Sequence, residues 1–223
     1  MTIRLLVADD QEMVRRGMRR IVESQPDMEV VGEAANGVEA VELARALGPD
    51  VALVDIRMPR MDGLEVTRRL ADPAFPHPTR VVVVTTFDLD EYVYPALRFG
   101  ASGFVLKRSG PALLVEAVRA AMAGDSLISP QITARLLQHV TGTAGGRRSR
   151  RQRDGALTER EAEIAGKVAE GRSNADIARE LFISAGTVKT HVASIQRKLQ
   201  VRNRVGIAVR AWELGYATGQ LPG

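Results

Sequence analysis

Polar side chains end four of the strand-like segments in the first half of the chain. Apolar, β-branched runs occupy residues 3–8, 29–34, 51–55, 80–85 and 103–107, and helical patterns separate them. Asp9 and Asp10 follow the first run, Asp55 ends the third, Thr85 ends the fourth and Lys107 ends the fifth. The carboxyl ends of strands in an open parallel sheet border one crevice, which is where ligands bind. The sequence therefore predicts that these side chains form one site.

Three carboxylates in one crevice repel one another and therefore favour a bound cation. Oxygen ligands without histidine or cysteine favour Mg²⁺, which keeps coordination positions for water and phosphate oxygens. A carboxylate beside such a metal can act as a nucleophile on phosphorus and form an acyl phosphate. Lys107 can then supply a positive partner for the phosphoryl group, and the hydroxyl of Thr85 can bond another of its oxygens.

Each acidic residue taken singly also fits a structural role. An aspartate after a strand often forms a turn or caps a helix, and Asp10 could cap a helix that begins at Glu12. The functional interpretation depends on all four polar positions falling at strand ends together, which independent turn formation does not explain.

The segments between the strands have helical periodicity. Apolar residues recur at helical spacing at Met13, Val14, Met18, Ile21 and Val22. Pro111 suits the first turn of a helix over residues 111–123, whereas Pro95 lies inside a predicted helix over residues 90–99 that it could kink. Five strands alternating with five helices predict an α/β fold, a doubly wound five-stranded parallel sheet of the flavodoxin-like type, covered on both faces.

From residue 157 onward only helical patterns remain. Thr158, Ser173 and Ser184 each stand where a helix N-cap is expected, and Glu161 completes a capping box with Thr158. The predicted helices end near residues 170, 181, 199 and 214, and a turn at residues 182–184 joins the second to the third. A short turn between two such helices predicts a helix-turn-helix within a small all-α domain.

A segment poor in apolar residues separates the two halves. A short helix is predicted over residues 130–140, and residues 141–156 have the composition of a flexible linker. Residues 1–125 carry a net charge of −4, whereas residues 126–156 carry +5 and residues 157–223 carry +3. An acidic half joined to a basic half suggests a regulatory unit attached to a unit that binds a polyanion.

Composition excludes several classes of protein. Cysteine is absent, which excludes disulfides, thiol catalysis and a cysteine metal site. The apolar runs are too short to cross a bilayer, and the start of the chain lacks the pattern of a signal peptide. We therefore expect a cytoplasmic protein without a membrane partner.

The first half resembles the receiver domain of bacterial response regulators. The resemblance rests on VADDQ near the start, LVDIRMPRMDG around Asp55, VVVVTTF in the fourth strand and GASGFVLK in the fifth. It implies that Asp55 is the phosphoacceptor and that Lys107 binds the phosphoryl group. The metal ligands that it implies are the carboxylates of Asp9, Asp10 and Asp55 and the main-chain carbonyl of Arg57. Thr85 and Phe104 would be the switch pair.

Residues 157–210 resemble the LuxR-type helix-turn-helix of the NarL/FixJ response regulators. The resemblance rests on LTERE, GRSNADIA, TVKTHV and a final helix after Val201. It implies that residues 185–199 form the recognition helix for double-stranded DNA. The candidates for base contacts are Lys189, Thr190 and Ala193, and those for phosphate contacts are Thr187, His191, Arg197 and Lys198. The buried stripe of this helix is predicted at Val188, Val192, Ile195 and Leu199. For each basic residue the alternative is a solvated helix face.

Together the two resemblances predict a two-component response regulator. Its receiver domain would span residues 1–125, a short helix and basic linker residues 126–156, and a DNA-binding domain residues 157–223. A histidine kinase would phosphorylate the aspartate, and phosphorylation would promote a homodimer and control sequence-specific DNA binding and transcription. We expect no small-molecule substrate other than a phosphodonor. The chain is not predicted to be an enzyme in the ordinary sense, although the receiver would catalyse its own phosphorylation.

The residues leave two other functions open. The receiver could be a dimerisation or ligand-sensing module that works without phosphorylation, although the complete polar set argues against this. The chain could also be a magnesium-dependent phosphohydrolase. Such enzymes often have a second catalytic acid two residues after the nucleophile, where this chain has Arg57.

Overall fold

The computed structural model describes residues 2–86, 90–125, 127–128, 157–201 and 203–216. The chain divides into two compact units, Met1–Ser129 and Pro130–Gly223. The predicted helix over residues 130–140 and the predicted linker at 141–156 lie outside the described residues. Within the described ranges, no helix is both long and apolar enough to cross a membrane.

Parallel strands form the centre of the first unit. They are β1 (Ile3–Ala8), β2 (Met28–Ala34), β3 (Val51–Val54), β4 (Arg80–Thr85), β5 (Gly103–Leu106) and β6 (Leu127–Ile128). Their order across the sheet is β2-β1-β3-β4-β5-β6, and each adjacent pair is parallel. The predicted five-stranded parallel sheet is confirmed. Strand β6 is an addition at its edge, and its two residues are too few to produce a periodic pattern in the sequence.

Helices connect the strands on the two faces of the sheet. They are α1 (Glu12–Glu23), α2 (Gly37–Leu47), α3 (Gly63–Leu70), α4 (Asp90–Phe99) and α5 (Pro111–Ala123). Side chains fix where two of them begin. The carboxamide of Asn36 accepts a hydrogen bond from the Glu39 amide at the start of α2, and Asp62 caps α3 in the same way. Helix α4 continues through Pro95 to its predicted end.

The central strands are buried on both faces, which explains their continuous apolar sequences. Residues 81–84 of β4, for example, are at most 3% exposed. On the outer layer, α1 buries Met18 and Val22 against the sheet. Met13, which helical spacing grouped with these residues, is 85% exposed. It lies about 140° around the helix from Met18, so it falls outside the buried face.

Helices alone form the described part of the second unit. They are α6 (Glu159–Ala169), α7 (Asn174–Glu180), α8 (Ala185–Leu199) and α9 (Arg204–Leu214). The predicted N-caps are confirmed, since side-chain oxygens of Thr158, Ser173 and Ser184 each accept a hydrogen bond from the main chain three residues later. The core contains one fully buried isoleucine from each helix, namely Ile164, Ile177, Ile195 and Ile207.

A buried carboxylate joins α6 to α8. Glu161 is 4% exposed and accepts hydrogen bonds from the Thr158 amide at 2.7 Å, from Ser194 Oγ at 2.8 Å and from Lys198 Nζ at 2.6 Å. Burial alone would raise the pKa of Glu161, but these hydrogen bonds outweigh it and lower the pKa to about 2. The sequence predicted the capping box and not the contacts with α8, because Ser194 and Lys198 are 33 and 37 residues away.

The close approach of α3 to the end of β3 yields a first prediction. A Cβ on Gly63 would lie 2.0 Å from the main-chain oxygen of Asp55, so the main chain must move to accept alanine. We expect Gly63→Ala to lower the free energy of unfolding of the first unit by about 1–3 kcal/mol or more, measured by calorimetry of the full chain.

Gly17→Ala on α1 is the matched control for this substitution. No atom lies within 4 Å of the Cβ position of Gly17, and alanine favours a helix over glycine by about 1 kcal/mol. We expect this variant to be at least as stable as the wild type. A Gly63→Ala protein with wild-type stability would show that the Asp55 loop does not have the described geometry.

The lowered pKa of Glu161 yields a second prediction. An ordinary glutamate titrates near pH 4.5, so the stability that ionised Glu161 provides is present above that pH and is lost as the pH falls toward about 2. We expect Glu161→Gln to cost about 2 kcal/mol at neutral pH and to weaken the dependence of stability on pH in this window. Calorimetry of the full chain across this range of pH measures the loss.

Glu159→Gln is the matched control, because Glu159 is an exposed residue of the same first turn. We expect it to change the free energy of unfolding by no more than about 0.5 kcal/mol. Equal losses in the two variants would mean that the contacts of Glu161 with α8 do not contribute to stability.

Candidate functional site

The three predicted carboxylates lie together at the carboxyl edge of the sheet. Asp9 and Asp10 follow β1, and Asp55 follows β3, the strand that pairs with β1. One oxygen from each carboxylate lies within 4.8 Å of the others. Asp9 is fully buried, Asp55 is 4% exposed and Asp10 is exposed. These residues, which we call the acidic cluster, therefore combine two buried carboxylates with one that faces solvent.

The ammonium group of Lys107 bridges the two buried carboxylates. Its Nζ atom lies 2.6 Å from Asp9 Oδ2 and 2.9 Å from Asp55 Oδ2. Lys107 directly follows β5, and its main-chain N–H donates a hydrogen bond of 2.8 Å to the carbonyl of Thr85 at the end of β4. Burial alone would lower the pKa of Lys107, but the hydrogen bonds with Asp9 and Asp55 outweigh it and raise the pKa. The ammonium group therefore remains charged at neutral pH.

The acidic cluster has the chemistry of a magnesium site. Burial raises the pKa of Asp9 above its ordinary value, since hydrogen bonds from Lys107 and the Gln11 amide only partly offset the loss of water and Asp55 adds repulsion. A cation bound at the cluster would favour the ionised form of Asp9. The donors are hard carboxylate oxygens without nitrogen or sulfur, which fits Mg²⁺.

The loop after Asp55 contacts helix α4. Asp55 Oδ1 accepts a hydrogen bond of 2.8 Å from the Ile56 amide. Two residues after Asp55, the exposed Arg57 donates from Nη2 to the hydroxyl of Tyr92 at 2.8 Å, and its guanidinium carbon lies 5.6 Å from the centre of that ring. The resemblance implied that the main-chain carbonyl of Arg57 is a metal ligand, and that role stays a prediction. A cavity of about 490 Å³ beside this loop is lined by Asp10, Arg57, Met58, Pro59, Leu64 and Tyr92, among others.

The predicted switch residues lie on neighbouring strands. Thr85 ends β4, Phe104 belongs to β5, and both are fully buried. In the register of the two strands, Phe104 pairs with Val83. The main-chain carbonyl of Thr85 accepts a hydrogen bond from the N–H of Lys107, the residue whose ammonium group contacts the acidic cluster. Both side chains therefore belong to the buried interior of the first unit, on the strands that precede Thr86 and Lys107.

One side of α8 presents the predicted DNA-binding residues to solvent. The exposed residues are Thr187, Lys189, Thr190, Ala193 and Arg197, and His191 is half-buried. The opposite side is formed by Val188, Val192, Ile195 and Leu199, and the burial predicted for them is confirmed. The Thr190 hydroxyl donates to the Gly186 carbonyl at 3.1 Å, whereas the ammonium of Lys189 and the guanidinium of Arg197 extend from the exposed side.

Two cationic side chains of the second unit have structural partners that sequence reasoning missed. Lys198 pairs with Glu161 at 2.6 Å, so it holds α8 against α6 and we omit it from the DNA contacts. Arg204 is 7% exposed and donates to Asn174 Oδ1 at 2.7 Å, which connects α9 to α7. Neither contact has a local signal, because the partners are distant in sequence and the residues are common surface types.

Comparisons with known proteins match each of the two units to a family. Residues 5–119 match the response regulator receiver domain, and residues 155–211 match the bacterial regulatory proteins of the luxR family. The transcriptional regulatory protein LiaR of Bacillus subtilis is 41% identical over 213 residues, which cover 94% of this chain and 96% of LiaR. The response regulator protein VraR of Staphylococcus aureus is 37% identical over 213 residues, which cover 96% of this chain and 98% of VraR.

Solved structures of response regulators also match nearly the whole chain. The response regulator ChrA of a heme-sensing two-component system has a TM-score of 0.52 and 36% identity, and the match covers 96% of this chain and 98% of ChrA. RcsB of Salmonella enterica serovar Typhimurium, bound to a promoter in the presence of a phosphomimetic, has a TM-score of 0.57 and 25% identity, with 97% of this chain and 99% of RcsB covered. This chain therefore belongs to the two-component response regulators that join a receiver domain to a LuxR-type DNA-binding domain.

Proposed function

We propose that this regulator accepts a phosphoryl group on Asp55 from a histidine kinase, with Mg²⁺ held by the acidic cluster. Phosphorylation then controls sequence-specific DNA binding and transcription in the cytoplasm. The observation that supports this most directly is the position of Lys107 Nζ, 2.9 Å from Asp55 Oδ2 at the edge of the cluster. We assign the receiver domain to residues 1–125, the short helix and basic linker to 126–156 and the DNA-binding domain to 157–223.

Asp55 is the nucleophile in this account. One of its carboxylate oxygens attacks the phosphorus of a phosphohistidine, the O–P bond forms as the N–P bond breaks, and the imidazole leaves with the electron pair and takes up a proton. Lys107 exchanges its contact with the carboxylate for one with the phosphoryl oxygens, and the Thr85 hydroxyl donates to another of them. When bound by Asp9, Asp10, Asp55 and the Arg57 carbonyl, Mg²⁺ would neutralise negative charge on the phosphoryl group.

The signal then passes to the DNA-binding domain through a change in the receiver surface. Movement of Thr85 toward the phosphoryl group would alter the end of β4 and the packing of Phe104 on β5, which is fully buried in this structure. A receiver with two such surface states can favour a homodimer in one of them. Two recognition helices would then reach two half-sites on double-stranded DNA, which one helix cannot do.

The phosphorylation site is tested by intact mass. We expect the full-length chain incubated with acetyl phosphate to gain one phosphoryl group when Mg²⁺ is present and none when Mg²⁺ is chelated. The Asp55→Asn variant should gain none under either condition, because the amide is not a nucleophile toward phosphorus. Labelling of Asp55→Asn at the wild-type level would assign the phosphoryl group to another residue.

The same labelling experiment, together with an assay on small phosphate esters, separates the other two functions. A regulator whose receiver only dimerises would not be labelled, and a phosphohydrolase would continue to release phosphate from small phosphate esters long after one equivalent. We expect labelling without such sustained release.

The base-reading role of α8 yields a further prediction. Lys189 and Arg197 are both exposed cations on this helix, and we assign Lys189 to a base edge and Arg197 to a phosphate. Lys189→Ala should cost about 1–3 kcal/mol on the preferred DNA sequence and relax preference at one base pair. Arg197→Ala should weaken binding to all DNA sequences alike. It should also reduce the slope of log affinity against log salt concentration by about one unit. Selection from random duplexes followed by salt-dependent titration measures both effects. If Lys189→Ala lowers the affinity equally for all DNA sequences, Lys189 contacts a phosphate and not a base edge.

A further inference from the structure

Arg15 connects the acidic cluster to the neighbouring strand β2. Its Nη1 atom donates a hydrogen bond of 2.7 Å to the main-chain carbonyl of Asp9, and its Nε atom lies 3.7 Å from Glu33 Oε2. The Arg15 side chain is only 15% exposed, although it belongs to the outer helix α1. Arg19, one turn later, lies 2.9 Å from Oε1 of the same glutamate. Glu33 thus holds two guanidinium groups, one of which reaches the cluster.

The carbonyl that Arg15 holds belongs to the peptide group between Asp9 and Asp10. A peptide group is planar, so a fixed carbonyl oxygen also fixes the direction in which the next residue leaves the backbone. Asp9 itself is held further by its side chain, since Oδ1 accepts from the Gln11 amide at 3.0 Å and Oδ2 lies 2.6 Å from Lys107. The exposed Asp10 depends on this peptide plane for its position beside the other two carboxylates.

The geometry points to Arg15 as a positioning residue that orients the carboxylates of Asp9 and Asp10 for Mg²⁺, with Glu33 steering its guanidinium group. This inference rests on the proposed function of the acidic cluster. Residues behind metal ligands generally act in this way, by restricting the ligands to the arrangement that the metal requires.

Removal of Arg15 has two possible effects on Mg²⁺ binding, and they differ in sign. A guanidinium group near a cation site repels the cation, so loss of its charge should tighten Mg²⁺ binding slightly. Loss of positioning should weaken Mg²⁺ binding instead. The sign of the change therefore separates the two effects.

The test measures binding of Mg²⁺ alone to the full-length chain by isothermal titration calorimetry. We expect Arg15→Ala to weaken binding by about 10-fold or more. Arg16→Ala is the matched control, because Arg16 is the next residue of α1, is 70% exposed and pairs with Glu12 on its own helix. We expect Arg16→Ala to bind Mg²⁺ within about twofold of the wild type, since only a screened charge is removed. Equal or tighter binding by Arg15→Ala would overturn the inference.

Two further variants keep the test decisive if Arg15→Ala does not fold. Arg15→Lys retains one donor and should recover part of the affinity, and Glu33→Gln should weaken binding by releasing the guanidinium group. Wild-type affinity in both would also overturn the inference.

In labelling by acetyl phosphate, the variants should need more Mg²⁺ for half the maximal rate yet approach the wild-type rate at saturation. If the wild type itself binds no Mg²⁺, the proposed function fails. If the wild type binds Mg²⁺ and the Arg15 variants bind it equally well, only the role of Arg15 is wrong and the proposed function stands.

Discussion

The ammonium group of Lys107 lies between two carboxylates that have been removed from water, 2.6 Å from Asp9 and 2.9 Å from Asp55. Carboxylates in such a position repel each other strongly unless a cation or a proton compensates for their charge. The ends of β1, β3 and β5 deliver these three side chains to one place, which a parallel sheet with buried central strands makes possible. The apolar interior of the first unit therefore maintains a charged site at its edge, where we propose that a metal ion and a phosphoryl group replace the lysine contact.

The DNA-binding unit also buries a charge, the carboxylate of Glu161, and this one joins two helices. Glu161 is surrounded by donors from α6 and α8, and its low pKa shows that the fold stabilises the ionised form. Asp9, by contrast, has a raised pKa, so its ionised form is held at a cost to the fold. The difference matches their roles: Glu161 fixes a helix in place, whereas Asp9 belongs to a site that a cation would complete. With its inner side fixed, α8 has its outer side available for DNA.

Local patterns in the sequence predicted much of this molecule. Capping residues and periodicity placed α5, α8 and the strands within a residue or so, and the polar residues at strand ends predicted the acidic cluster. The sequence could not predict contacts such as Glu161 with Lys198 or Arg57 with Tyr92, because hydrogen bonds between distant residues leave no periodic signal. Helical spacing also could not tell that Met13 is exposed, because spacing alone does not distinguish the buried from the exposed apolar residues of a helix. Arg15 was missed for a similar reason, since an arginine on an outer helix is usually solvated.

We propose that phosphorylation of Asp55 changes how tightly the second unit binds DNA. Fluorescence anisotropy can test it with a duplex selected from random sequence by the full-length protein, at one salt concentration because phosphate contacts depend on salt. Wild type and Asp55→Asn are titrated with Mg²⁺, each with and without acetyl phosphate. We expect acetyl phosphate to tighten DNA binding by the wild type and to leave the affinity of Asp55→Asn unchanged. Equal affinity of the wild type before and after treatment, in a sample whose mass shows that Asp55 is phosphorylated, would contradict it.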